Sequence, residues 1–244
     1  MTDHRPWTYG ESFADVYDDW YADVSDIRAT VDCIVQLAGT HPVLELGVGT
    51  GRLARPLAAT GIEVWGVDAS RAMLGRLDGA PVRALVADMA HLPFGPRPRF
   101  GVAFAAYNTF LNLTTETEQA ACLLGVAAML RPGGVVAIEA CVPADDVPDG
   151  PGPVSTQTVA LDRVVLAVAD HDAASQTVTG QHIELRDGEA PRLRPWRLRY
   201  LHPDQLDALA EDAGLHREYR WSDWSGAPFR PDSEAHVTIY RRPA

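Results

Sequence analysis

The run Glu45-Leu46-Gly47-Val48-Gly49-Thr50-Gly51-Arg52-Leu53 sets three glycines on alternate positions directly behind a short apolar stretch. Without a Cβ the backbone can turn sharply and approach a ligand closely. Where a strand passes into a helix at the carboxyl edge of an open α/β sheet, such a bend is a natural ligand site. A plain tight turn has the same composition, so the loop alone decides little. Two further acids end apolar stretches downstream, Asp68 in Val67-Asp68-Ala69-Ser70 and Asp88 in Val86-Ala87-Asp88-Met89. A carboxylate in the place of Asp68 can accept both hydroxyls of a ribose. One in the place of Asp88 can accept from an adenine amino group while Met89 packs on the ring. The bland readings are a helix-start acid beside the cap residue Ser70 and an ordinary turn acid.

A dinucleotide fingerprint, G-x-G-x-x-G/A, needs a small third residue for close packing of helix on strand. Counted from Gly47 that residue is Arg52; counted from Gly49 it is Ala54, two residues off the strand end. The register therefore weakens a nicotinamide oxidoreductase. With Glu45 at the strand end, the run resembles motif I of class I S-adenosylmethionine (SAM) dependent methyltransferases, and Asp68, Met73 and Asp88 follow in that family's order and spacing. The resemblance is strongest over residues 43–140. It implies SAM as cofactor, held by Glu45, Gly47, Gly49, Gly51, Asp68, Ala69, Met73, Asp88 and Met89, and a small-molecule acceptor. A protein of this fold that acts as a cyclase or merely binds ligand would show the same loop.

The segment Tyr107-Asn108-Thr109-Phe110-Leu111-Asn112 ends the fourth apolar run. The resemblance places it near the transferable methyl group, with Tyr107, Asn108 and Asn112 offering oriented polar atoms and Tyr107 also touching the cofactor; Asn-rich strand ends are equally ordinary turn formers. The opening Tyr9 to Tyr21 is similar to the N-terminal helix of bacterial small-molecule methyltransferases, including sugar N-methyltransferases of antibiotic pathways, which implies that it covers the cofactor with Tyr17 as the matching aromatic. Those sugar enzymes carry a His where this chain has Asn112, so their base is not transferred here. Because a sulfonium already activates its methyl group, transfer needs little beyond alignment and a deprotonated nucleophile. If an acid–base residue takes part, His182 and His202 are the candidates, each with a surface or capping role as the alternative.

These residues need elements to hold them. Pro42–Leu46, Ile62–Val67, Val82–Val86, Val102–Ala106 and Val135–Glu139 read as five strands with helical stretches between most of them, the pattern of parallel βαβ units. Two short helices are expected over Ser12–Ala38, and Arg131-Pro132-Gly133-Gly134 reads as a helix stop and turn into the fifth strand. From about Thr156 to Tyr200 the pattern turns β-like, with turns at Asp170-His171-Asp172 and Asp187-Gly188. A helix opened by Pro203 and closed by Gly214, then two strands near Leu215–Trp221 and His236–Tyr240, complete the chain. The expected fold is α/β: a Rossmann-like seven-stranded mixed sheet with helices on both faces and an antiparallel β insertion after the fifth strand. Its parts would be a helical cap (1–40), a SAM-binding core (41–142), the insertion (153–201), and the closing strands (202–244). The insertion also resembles that of the bacterial small-molecule methyltransferases, which implies that it helps build a substrate chamber or a homodimer contact.

Composition narrows the partners. A net charge of −12 over 244 residues repels phosphate backbones and anionic lipid surfaces, so neither nucleic acid nor membrane is expected. All 21 basic residues are Arg, which excludes chemistry by a lysine amine. Cys33, Cys122 and Cys141 lie far apart in apolar runs, with neither disulfide nor zinc spacing, so no metal is expected and the compartment reads as reducing. Met1–Pro6 lacks the basic-then-apolar order of a signal peptide, and a cytoplasmic enzyme follows as the expectation. Arg192, Arg194, Arg197 and Arg199 alternate around Pro195, as a face greeting an anionic substrate or as a solvated strand. The aromatic loop Trp221–Phe229 suits a flat acceptor or a hydrophobic plug.

Overall fold

The computed structural model describes residues 5–22, 24–77, 79–95, 99–144 and 147–244, so Met1–His4 of the signal-peptide reading lie outside the described residues. Three helices lead in: α1 (Thr8–Phe13), α2 (Tyr17–Trp20) and α3 (Ile27–Ala38). Strands β1 (Val43–Leu46), β2 (Val64–Asp68), β3 (Val82–Val86), β4 (Phe100–Ala105) and β5 (Leu130–Cys141) follow, with α4 (Ala54–Ala59), α5 (Arg71–Gly75) and α6 (Glu116–Met129) between them. After the antiparallel strands β6 (Gly150–Pro151), β7 (Ser155–Val159), β8 (Arg163–Asp172), β9 (Thr177–Arg186) and β10 (Arg192–Arg199), the chain returns through α7 (Pro203–Asp212) to β11 (His216–Trp221) and β12 (Ala235–Arg241). No helix among the described residues is long and apolar enough to cross a membrane.

The main sheet has the order β11-β12-β5-β4-β1-β2-β3, and β12 alone runs against its neighbours. Strands β1 and β4 are buried at every residue, which is why their sequences are continuous apolar runs and not alternating ones. Leu123 and Val126 of α6 with Leu206 of α7 cover one face; Ile34 of α3 and Leu57 of α4 cover the other. The helix starts are written locally. Asp26 accepts from the Ala29 N–H to open α3, and Thr115 with Glu118 forms a reciprocal capping box on α6.

Three local expectations are corrected. Ser12–Ala38 was to give two helices, yet the first begins at Thr8 and the segment breaks into three. Arg131-Pro132-Gly133-Gly134 is not a separate turn. It lies within β5 as a bulge, since Phe100 pairs with Leu130 and Val102 already with Val135. Asp170-His171-Asp172 ends β8 as strand, and the turn falls at Ala173–Gln176. His171 is held there by the Pro148 carbonyl at 3.1 Å and the Tyr200 hydroxyl at 3.0 Å, tertiary partners that override local turn preference.

The arginine row is largely occupied by protein partners. Arg192 and Arg194 pair with Asp15, Arg194 also with Glu184, and Arg199 with Glu116 and Gln119 of α6. These contacts dock the insertion between the N-terminal helices and the main sheet, so three of the four arginines in the row are not free to greet an anion.

Candidate functional site

Chain direction diverges at β1 and β4, which leaves a crevice beyond their carboxyl ends. After Leu46 the chain bends through Gly47 (φ 66°), Gly49 (φ 55°) and Gly51 (φ 87°) into α4. The bend is fixed from the next strand: Gly49 N donates to Asp68 Oδ2 at 2.9 Å and Ser70 N to Asp68 Oδ1 at 2.8 Å. Burial pushes the Asp68 carboxyl above its ordinary range, against these two N–H groups. Each of its oxygens keeps a lone pair for a ligand. Ser70 caps α5 by accepting from Met73 N, so Asp68 combines the helix-start role with a face on the cleft.

One cleft opens there, and Tyr17, Gly47, Gly49, Asp68, Ala69, Met73, Asp88, Met89 and Asn112 line it together. Five other candidate residues stand elsewhere. Glu45 lies under the loop, 5 % exposed, with Oε2 unpartnered; burial drives its carboxyl well above the usual range. Gly51 packs against Leu77 instead of facing the opening. Tyr107 stands at the β4 tip, where its N–H donates to Glu139 Oε2 at 2.7 Å and its ring lies 5.9 Å from Tyr21. His182 sits on β9 among Phe13, Trp20 and Trp196. His202 precedes α7, and the Trp221–Phe229 loop turns Trp224 into the core against Phe104, so it acts as the plug.

An orphaned buried carboxylate oxygen, a loop closed to side chains, and acids at successive strand tips fit a compact cationic nucleoside. The residues present therefore fit SAM. Tyr9, Thr109 and Glu118 also line the cleft and were not singled out from sequence. Glu139 was missed too, although it obeys the same rule of an acid near a strand tip. The tip it holds is strained: Tyr107 (φ 45°) and Asn108 (φ 61°) are both left-handed, and Asn108 Oδ1 accepts from Cys141 N at 2.7 Å. Two acids fasten the N-terminal helices over the loop. Asp18 accepts from Thr50 Oγ1 at 2.6 Å and from Arg76, and Glu11 accepts from Ser70 Oγ and Ala72 N.

The two first glycines of the loop are not equivalent. A Cβ on Gly47 would stand 2.3 Å from Thr109 Cγ2, whereas one on Gly49 meets nothing nearer than 4.0 Å. Both substitutions carry backbone strain of about 1 kcal/mol or more, and Gly47→Ala adds an overpacking cost of about 1–3 kcal/mol. Thermal unfolding is expected to rank Gly47→Ala clearly below Gly49→Ala; equal midpoints would contradict this geometry.

Comparison with known proteins agrees with the geometry. A family described as a methyltransferase domain matches residues 43–134. A cypemycin N-terminal methyltransferase from a Streptomyces species is 31% identical over 184 residues, 71% of this chain and 73% of the relative. The solved CcbJ methyltransferase of Streptomyces caelestis is 37% identical, with a TM-score of 0.91 over 99% of this chain and 100% of that one. The sugar N-methyltransferase KedS8 from a Streptoalloteichus species shares the fold, at 19% identity and a TM-score of 0.70 over 100% and 99% of the two chains. With a glycine bend between acid-tipped parallel strands and these relatives along its length, the chain belongs to the class I SAM-dependent methyltransferases.

Proposed function

We infer that this enzyme transfers a methyl group from SAM to an amine nitrogen of a small molecule. The observation that carries the reading is the charge of the cleft. Among the described residues its lining contains three carboxylates, Asp68, Asp88 and Glu118, and no cationic side chain. Such a field favours a sulfonium cofactor and an ammonium-bearing acceptor over a phosphorylated one. The 31% identical relative is, by its own name, an N-terminal methyltransferase, which supports nitrogen as the acceptor atom.

In this reading Asp68 takes the ribose hydroxyls, Asp88 the adenine amino group with Met89 and Met73 against the ring, and Glu45 supports the bend at Gly47 and Gly49 from the strand behind it. Ala69 and Tyr17 close the cofactor's flanks, and Gly51 shapes the bend. When bound, SAM supplies a methyl group already activated by its sulfonium. Tyr107 and Asn112 align the acceptor at the β4 tip, with Glu139 holding the Tyr107 backbone, and His182 belongs to the acceptor side. The insertion (153–201) walls the acceptor chamber, the helical cap (1–40) covers the core (41–142), and residues 202–244 close the sheet. The three unpaired cysteines support a reducing, cytoplasmic setting.

The test is incubation with SAM and a panel of amines, followed by mass spectrometry. A product heavier by one methyl group together with S-adenosylhomocysteine is the expected result. SAM binding without methylated product from amine, hydroxyl or carbon acceptors would favour a cyclase or a ligand-binding protein.

A further inference from the structure

We propose that Trp20, His182 and Trp196 form the subsite for the body of the acceptor, and that this body is uncharged and carries hydroxyl or amide oxygens. The proposal rests on the methyl-transfer reading above and adds to it what the acceptor must look like beyond its nitrogen.

Trp20 Nε1, Trp196 Nε1 and His182 Nδ1 are buried and have no hydrogen-bond partner among the described residues. An indole nitrogen can only donate, and a buried donor without an acceptor is costly and rare in folded proteins. These orphans are not scattered. The His182 ring lies 5.7 Å from Trp20 and 6.3 Å from Trp196, so α2, β9 and β10 each deliver one to the same place. Trp196 is seated there by its cross-strand partner Gly180, where a Cβ would come within 2.2 Å of the indole ring. Phe13 joins the group to the cofactor cleft: its ring stacks on the cleft residue Tyr9 at 4.5 Å and meets His182 at 5.4 Å.

The charge around the rings points away from an anion. Arg194 lies over Trp20 at 5.3 Å with its Nε unpartnered among the described residues, but Asp15 and Glu184 neutralise its charge through the terminal nitrogens, and Arg192 on the same strand face shares Asp15. Arg197 has no acidic partner within ion-pairing distance among the described residues, but it alternates with Trp196 and belongs to the opposite face of the strand. Two donor-only nitrogens and one imidazole nitrogen therefore ask for oxygen lone pairs without negative charge, and the aromatic walls suit the C–H face of a ring or an amide plane.

The test uses three amines with SAM: the methyl glycoside of glucosamine, UDP-glucosamine, and alanylalanine amide. Methylation of the glycoside or the peptide amide is expected with kcat/KM at least about tenfold above that of UDP-glucosamine, the worth of one buried hydrogen bond. Which of the two neutral amines is used tells a polyol from an amide body. Equal or better use of UDP-glucosamine overturns the proposal, as does transfer to none of the three while S-adenosylhomocysteine binds. Failure of S-adenosylhomocysteine to bind would instead sink the methyl-transfer reading. Trp196→Phe keeps a ring and deletes the donor, so acceptor KM is expected to rise about tenfold with SAM affinity unchanged. An unchanged KM in both Trp196→Phe and Trp20→Phe would mean that the orphaned nitrogens serve packing alone.

Discussion

Asp68→Ala is expected to weaken SAM binding by about a hundredfold or more. Each hydrogen bond from a ribose hydroxyl to an ionised carboxylate contributes about 1.5–3 kcal/mol, and two such bonds sum to at least two decades of affinity. Alanine also releases Gly49 N and Ser70 N, both now held by Asp68, so the loop loses its brace together with its ligand group. Asp68→Asn retains one acceptor oxygen and should fall between the two. Titration calorimetry with SAM checks the order, and an alanine variant binding within about threefold of the parent would remove Asp68 from the cofactor site. Acidity gives a second readout. The folded carboxyl titrates above its reference value of 3.8 because it is buried. As the pH falls from that raised value towards 3.8, the folded form takes up the proton first. The fold then gains stability from Asp68 while the cofactor site loses affinity, two effects of opposite sign from one group.

The parts of the site legible in the sequence are those fixed by near neighbours. An acid at the end of an apolar run, followed by a cap residue, is local information, and Asp68 with Ser70 and Asp88 with Ala90 show it in their hydrogen bonds. The parallel character of the main sheet follows from strands alternating with helical stretches, and β1 and β4 read as continuous apolar runs because they are buried on both faces. What the sequence hides is pairing at a distance. Arg194 meets Asp15 across 179 positions and Arg199 meets Glu116 across 83, so a row that looks ready for an anion is internal mortar. Arg131-Pro132-Gly133-Gly134 looks like a turn because Pro and Gly usually make one, but the parallel neighbour β4 carries the strand past it as a bulge. Glu139 carries the same local signal as Glu45, yet its meaning depends on Tyr107 just beyond the tip of the adjacent strand, 32 positions away.

Arg194→Ala is expected to destabilise the fold by about 3–5 kcal/mol, the cost of breaking a buried ion pair from one side. The guanidinium is 1% exposed and the Glu184 carboxylate 3%, so alanine leaves a buried charge uncompensated on β9, with Arg186 and Arg163 nearby as the remaining cations. The Ser12 carbonyl loses its arginine and Asp15 keeps only Arg192, which loosens α1 against the insertion. For a chain of this length the loss corresponds to roughly 6–20 °C in thermal midpoint. Burial pushes the Glu184 carboxyl up, and Arg194 and Arg186 overcome that push and hold it below its usual value of 4.5; Arg194 likewise holds Asp15 below 3.8. Acids held down in the folded state add stability that is present above their unfolded values and is lost as the pH falls through the folded ones. Without Arg194 the push of burial on Glu184 is opposed mainly by the half-exposed Arg186, so the variant is relieved, not harmed, when Glu184 takes a proton. The gap between parent and variant should therefore narrow as the pH is lowered below about 4.5, the usual carboxylate range. A gap that stays constant or widens on acidification would show that Arg194 contributes by packing its stem and not by its charge. The double replacement Arg194→Met with Glu184→Leu removes both charges from the interior and should recover most of the lost stability, since hydrophobic substitutes of similar volume often match a buried pair. If the double variant is no better than Arg194→Ala, the uncompensated carboxylate is not the source of the cost.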